Sequence, residues 1–262
     1  MTTTIRLDRD GVAIHSEIHG TASDCTALLL THGYAASSAM WRPNLGALAA
    51  TRRVITWDIR GHGRSASPRD PACYSRALSV ADMATVLNAH GIARAAIGGL
   101  SLGGYLSLAF HDAHPDRVAA LLLCDTGPGF RQPAAREQWN ALARTRAAAF
   151  ERIGLAALTT SPEVGEGPHD PVGLALAARG ILTQHDARIL ESLPAIRVPT
   201  LIVVGEHDAP FLAASDYMAQ KIPGAMKRVI RAAGHAANID QPDAFDAAVT
   251  EFLDRLDPIH SF

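Results

Sequence analysis

Cysteine is scarce. There are three in 262 residues, Cys25, Cys73 and Cys124, an odd count without Cys-x-x-Cys spacing. Such a set reads as reduced, mostly packed thiols of a cytoplasmic protein. No sign of charge prevails either. The 24 Lys and Arg against 26 Asp and Glu leave a net charge of −2. A nucleic acid or an acidic membrane surface would therefore find no basic field to drive binding. The apolar run 118–124 is far too short to span a bilayer. Residues 1–11 carry Arg6, Asp8, Arg9 and Asp10 and lack the apolar core of a secretory signal. Internal repeats and low-complexity linkers are absent. No His-x-x-x-His pair falls on one helix face, so no metal site is expected.

What is present suits a globular chain. Hydrophobic residues make up 48% and charged residues 19%, enough to bury a core without disulfides or metal. Short apolar runs alternate with longer helical patterns. Residues 26–31, 53–57, 95–98, 118–124, 200–204 and 227–230 read as strands, most of them apolar on consecutive positions. That pattern belongs to strands covered by helices on both faces. Residues 5–7 and 12–18 predict an antiparallel hairpin around Asp10-Gly11. Helices are expected over 79–90, from 102 to 114, and over 241–256, where Phe245, Val249, Phe252 and Leu256 form one stripe. The expectation is an α/β fold with a mostly parallel, eight-stranded sheet flanked by helices. Between 127 and 194 no strand pattern is found, and helical pieces at 133–153 and 171–183 predominate. This predicts a small helical cap (127–194) inserted into a core domain formed by 1–126 and 195–262.

Several strand ends carry chemistry. Gly99-Leu100-Ser101-Leu102-Gly103 is a Gly-x-Ser-x-Gly motif, weak by composition alone. Its place between a strand and a helix strengthens it. Flanking glycines permit a sharp turn that projects the serine oxygen, and the Leu102 N–H then stands at a helix N-terminus, suited to an oxyanion. A serine nucleophile needs a base. Among 12 histidines, His235 follows the last strand and His62 is its rival. His111, His114, His185 and His260 fall on helices or the tail. The base needs an acid. Asp208 follows the strand 200–204, Ala209-Pro210 marks the end of any helix there, and Asp125 and Glu206 are the alternatives. A second oxyanion donor is expected at the Tyr34 N–H, after His32-Gly33.

These pieces together resemble the α/β-hydrolase superfamily over about 12–256. They are His32-Gly33-Tyr34, the stretch from Asp58 to Ser65, Gly99 to Gly104, Val198-Pro199-Thr200 with Gly205 to Asp208, and Gly234-His235 with Gln241-Pro242. The resemblance implies nucleophile Ser101, base His235, acid Asp208, and oxyanion donors Tyr34 and Leu102. It assigns the stretch from Asp58 to Ser65 a mainly structural part. A serine, not an aspartate, at the elbow disfavours epoxide hydrolysis and dehalogenation and points to acyl transfer without cofactor. The chain is also similar to bacterial enol-lactone hydrolases, departing from them at Gly33-Tyr34. An anionic lactone would want an arginine clamp, for which Arg131, Arg136 and Arg144 are candidates. Trp41, Tyr105, Phe130, Trp139, Phe150 and Phe211 are candidate pocket walls, Trp139 and Phe211 foremost. The expected activity is carboxylic ester hydrolysis of small to medium acyl substrates. Lactone and carbon–carbon bond hydrolysis are the alternatives, and a receptor-like ligand binder of the same fold is a more distant one. The expected partner is a small-molecule ester, with a homodimer left open.

Overall fold

The structure, a computed structural model, describes residues 2–257 apart from 22, 23 and 166. His260 and the last residues of the expected core domain lie outside them. Eight strands form one sheet: β1 Thr2–Arg9, β2 Val12–His19, β3 Leu28–Thr31, β4 Val54–Trp57, β5 Ala95–Leu100, β6 Val118–Cys124, β7 Thr200–Gly205 and β8 Met226–Ile230. Their spatial order is β1-β2-β4-β3-β5-β6-β7-β8. The β1·β2 and β2·β4 pairs are antiparallel and the other five are parallel. The hairpin turns through Asp10 and Gly11, both with positive φ (55° and 79°), as a tight primed turn demands.

The helices are α1 Arg42–Leu48, α2 Arg76–Ala89, α3 Leu102–Ala113, α4 Pro133–Ile153, α5 Pro171–Ala177, α6 Arg188–Ser192, α7 Ala209–Lys221, α8 Ala237–Asp240 and α9 Pro242–Asp254. Helices α2 and α3 cover one face of the sheet, and α1 and α9 the other. Leu29, Ile97, Leu121 and Ile202 pack with Met83 of α2 and Leu106 and Phe110 of α3. On the other face Leu28, Leu30, Ala96, Leu122 and Val203 pack with Leu48 of α1 and Phe245, Val249 and Phe252 of α9. Alternate residues of one strand thus enter different cores, and this is why the strands read as continuous apolar runs.

Two helix boundaries differ from what the sequence predicts. Helix α2 begins three residues earlier, because Ser75, not Ser79, is the cap: its Oγ accepts the Leu78 N–H at 3.1 Å. Ser79 instead lies inside the helix, its hydroxyl bonded to the Ser75 carbonyl. Ala209-Pro210 opens α7 and does not end a helix. A proline in the first turn sacrifices no intrahelical hydrogen bond, so it marks a start as readily as a stop.

Between β6 and β7 the described residues hold α4, α5, a π-helical turn Ala178–Leu182 and α6, with no strand. This segment is internally fastened. Trp139 Nε1 donates to the Leu182 carbonyl at 2.8 Å, and Asn140 pairs twice with the Gln184 backbone. The segment is also tied to the rest of the chain: the Tyr34 hydroxyl donates to the Leu174 carbonyl at 2.9 Å, and Arg69–Asp170, Arg76–Asp186 and Arg188–Asp112 form ion pairs across the boundary.

Candidate active site

Strand β3 neighbours both β4 and β5, so the chain leaves β3 and β5 side by side at their carboxyl ends. In open α/β sheets this is where ligand sites assemble. Ser101 stands at the end of β5 with φ 54° and ψ −113°. A non-glycine residue there stores roughly 1–3 kcal/mol of backbone strain. The turn is possible because its neighbours are glycines. A Cβ on Gly99 would lie 2.6 Å from the Thr31 carbonyl oxygen, and one on Gly103 would collide with the same atom. Two bonds from the end of β6 brace the turn: Ser101 N donates to the Cys124 carbonyl at 2.9 Å, and Thr126 Oγ1 donates to the Ser101 carbonyl at 2.6 Å.

Tyr34 follows Gly33 on the neighbouring loop. His32 orients the peptide between them. Its Nδ1 lies 2.7 Å from the Gly33 carbonyl, and its Nε2 accepts the Ile59 N–H at 3.0 Å, which fixes a neutral tautomer with the proton on Nδ1. In a trans peptide the N–H points opposite the carbonyl, so the Tyr34 amide is turned away from His32. Among the described residues neither the Tyr34 nor the Leu102 amide is taken by a protein acceptor. Leu102 is the first residue of α3, where such amides lack an intrahelical partner. The Asp58 carboxylate secures the loop by accepting Ser38 N at 2.6 Å and Arg64 N at 2.8 Å. Beneath it Arg60 and Asp82 form a buried, two-pronged ion pair, both bonds 2.7 Å long. The stretch from Asp58 to Ser65 thus supports the site from outside the cavities.

His235 lies on the loop after β8. Its Nδ1 is 2.9 Å from Asp208 Oδ2, and Asp208 is almost wholly buried. Phe211, three residues into α7, stacks on the imidazole with centroids 5.0 Å apart. The rival residues have other surroundings. His62 is buried behind Tyr34, where burial drives its pKa well below the ordinary histidine value. The Glu206 carboxylate accepts the Ala232 N–H at 3.0 Å. Asp125 is enclosed beside Asp208, and its Oδ1 accepts the Gly205 N–H at 2.8 Å.

Ser101 stands between two cavities. The larger, about 260 Å³, is shared by Ser101, His235, Tyr34, Arg146, Phe150 and Glu163, among others. The smaller, about 100 Å³, places Ser101 and Leu102 against Trp139, Phe211, Phe130 and Leu182. Of the aromatic walls expected from sequence, Tyr105 also reaches the smaller cavity and Phe150 the larger, whereas Trp41 is a core residue. The arginines singled out earlier are occupied elsewhere. Arg144 pairs with Glu137, Arg136 bonds two backbone carbonyls, and Arg131 faces Glu191 at 3.9 Å. The cation on the cavity is Arg146, 6.0 Å from the Tyr34 ring centroid. Sequence reading passed over it because one arginine on an exposed, alanine-rich helix gives no sign of which way it faces.

Comparison with known proteins agrees with this architecture. A 3-oxoadipate enol-lactonase of Acinetobacter baylyi is 28% identical over 269 residues, covering 94% of this chain and 95% of its own. A thermophilic esterase from Thermogutta terrifontis superposes with a TM-score of 0.80 at 29% identity, covering 98% of this chain and 99% of its own. An enol-lactonase from Burkholderia xenovorans gives 0.76 at 29% identity, with 94% and 98% covered. The model of the alpha/beta hydrolase family matches residues 28–248, and the chain belongs to that family.

Proposed function

We propose that the chain is a serine hydrolase of carboxylic esters with small to medium acyl groups. The observation that carries this is the placing of Ser101: on a strained turn, between two cavities, on one wall with a histidine that is bonded to a buried aspartate. Ser101 Oγ attacks the ester carbonyl while His235 Nε2 takes its proton, and the buried Asp208 carboxylate stabilises the imidazolium. The Tyr34 and Leu102 amides receive the oxyanion. The alcohol leaves with the proton from His235. Water, activated by the same imidazole, then releases the acid. Residues 127–194 act as a cap over a core of 1–126 and 195–262, and Trp139 and Phe211 line the acyl side. Three unpaired cysteines fit a reducing, cytoplasmic setting.

The smaller cavity is the more apolar in its side chains, so it takes the acyl group. The alcohol faces Thr145, Arg146, Ser161 and Glu163 in the larger one. Hydrolysis of p-nitrophenyl esters from acetate to decanoate is therefore expected to peak at short chains. Trp139→Ala should shift the optimum to longer ones. A flat profile, or one unmoved by that substitution, would reverse the assignment of the two cavities. A fluorophosphonate should label Ser101, read by peptide mass spectrometry, and labelling elsewhere would sink the proposal.

Arg146 favours a second reading, in which the natural substrate is a lactone or ester bearing a carboxylate. A guanidinium on the cavity wall can bind such a group in two-pronged fashion. Arg146→Ala is expected to raise KM at least about tenfold for a dicarboxylic monoester, through the loss of its charge-assisted hydrogen bonds. KM for a neutral ester of the same length should stay unchanged. An equal effect on both would remove the argument for an anionic substrate.

A further inference from the structure

Asp125 lies where the segments carrying Ser101, Asp208 and His235 come together. Its neighbours in sequence, Cys124 and Thr126, hold the Ser101 turn. Its Oδ1 takes the Gly205 N–H, three residues before Asp208. Its carboxyl meets that of Asp208 and adjoins the Ala237 backbone, two residues beyond His235. The side chain is fully enclosed, and its backbone lies at φ 45°, in the left-handed region that aspartate adopts more readily than most side chains. Oδ2 is buried and accepts no hydrogen bond.

Two carboxyl groups in contact, shut away from water, do not both ionise. The groups acting on Asp125 are Asp208, the Gly205 and Ala237 amides, and the Cys124 thiol, with no cation among the described residues. Asp208 already receives His235 Nδ1, a role for a carboxylate. The proton therefore belongs on the other member of the pair.

We propose that Asp125 is a positioning residue that works as a carboxylic acid: its Oδ2–H donates to the Asp208 carboxylate and holds that carboxylate against His235. One negative charge, kept in place by two carboxyl groups, then faces the imidazole. This rests on the reading of Ser101, Asp208 and His235 as the catalytic set. It also accounts for the orphan oxygen, which as a hydroxyl is no longer unpaired. Burial, with the Asp208 charge adding to it against the Gly205 hydrogen bond, pushes the Asp125 carboxyl up to about 9.

The proposal separates two substitutions that remove the same carboxyl. Asp125→Asn keeps a donor toward Asp208, and its kcat is expected within about threefold of the parent. Asp125→Leu keeps the volume without the donor, and should lower kcat roughly tenfold to a hundredfold with KM little changed, the worth of a hydrogen bond to a charged group. Infrared difference spectra (parent minus Asp125→Asn) at mildly alkaline pH should show the carbonyl stretch of a protonated carboxyl. Asp246, which burial holds up to about 6, is ionised there. If the asparagine variant falls as far as the leucine variant, or if both match the parent, the proposal is overturned. Absence of the carboxylic acid band overturns it too, and this readout stands even if Asp125→Leu does not fold. Hydrolysis that persists in Ser101→Ala would instead remove the catalytic reading while leaving the infrared result on Asp125 intact.

Discussion

Ser101→Ala is expected to abolish hydrolysis, lowering kcat by roughly 10⁴–10⁶-fold while leaving the protein folded. Alanine keeps the Cβ and the φ of 54°, so the turn, the cavities and the two brace bonds from β6 persist. Only the attacking oxygen is lost. The residual rate should be that of an oxyanion hole without a nucleophile. Ser101→Gly should be equally inactive but more stable, by about 1 kcal/mol, because glycine occupies positive φ without the steric cost serine bears. Chromogenic ester kinetics and thermal melts of the three proteins suffice. A glycine variant no more stable than the alanine variant would mean the turn is unstrained. An alanine variant with more than a few per cent of parental activity would place the nucleophile elsewhere.

Asp208→Asn carries the second large effect, a loss of roughly 10³–10⁴-fold in kcat. The amide is nearly isosteric, so the 2.9 Å approach to His235 Nδ1 can survive. Its charge does not, and if the amide NH₂ faces the ring the imidazole takes the wrong tautomer, presenting an N–H to Ser101. KM should move little, because Asp208 is buried behind the histidine and lines neither cavity. A loss under tenfold would show that another carboxylate serves the base, and Asp125 is placed to be that one.

Much of this was legible in the sequence because strand ends are marked by short, glycine-rich signals. The Gly99 to Gly103 turn, the His32-Gly33-Tyr34 loop and the hairpin at Asp10-Gly11 each depend on local backbone geometry, which local residues dictate. The choice between Asp208 and Asp125 is different. β6 and β7 are adjacent in the sheet, so their carboxyl ends deliver both acids to one place, and only the direction of the His235 ring tells them apart. Arg146 was hidden for a related reason. Its neighbours Arg136 and Arg144 share its composition and its helix, and they differ only in what the rest of the chain brings near. His32 was read as part of a motif, whereas its two ring nitrogens are what aim the Tyr34 amide. The misplaced start of α2 and the unread helix α7 turned on whether Ser75 or Ser79 bonds back, and on proline being as acceptable at a beginning as at an end.

The hydrogen bond from Tyr34 to Leu174 has a consequence for transplanting parts between relatives. Tyr34, which lines the larger cavity, is anchored through its own ring to a backbone carbonyl of α5. Burial raises the phenol's pKa well above its ordinary value, so it stays a donor at any working pH. A chimera that keeps the sheet and exchanges residues 127–194 for those of another hydrolase would therefore inherit more than a new binding surface. Unless the incoming helix offers an acceptor at the same point, the loop bearing Tyr34 loses its tether. A change meant to alter substrate preference would then be felt as slower chemistry on every substrate alike.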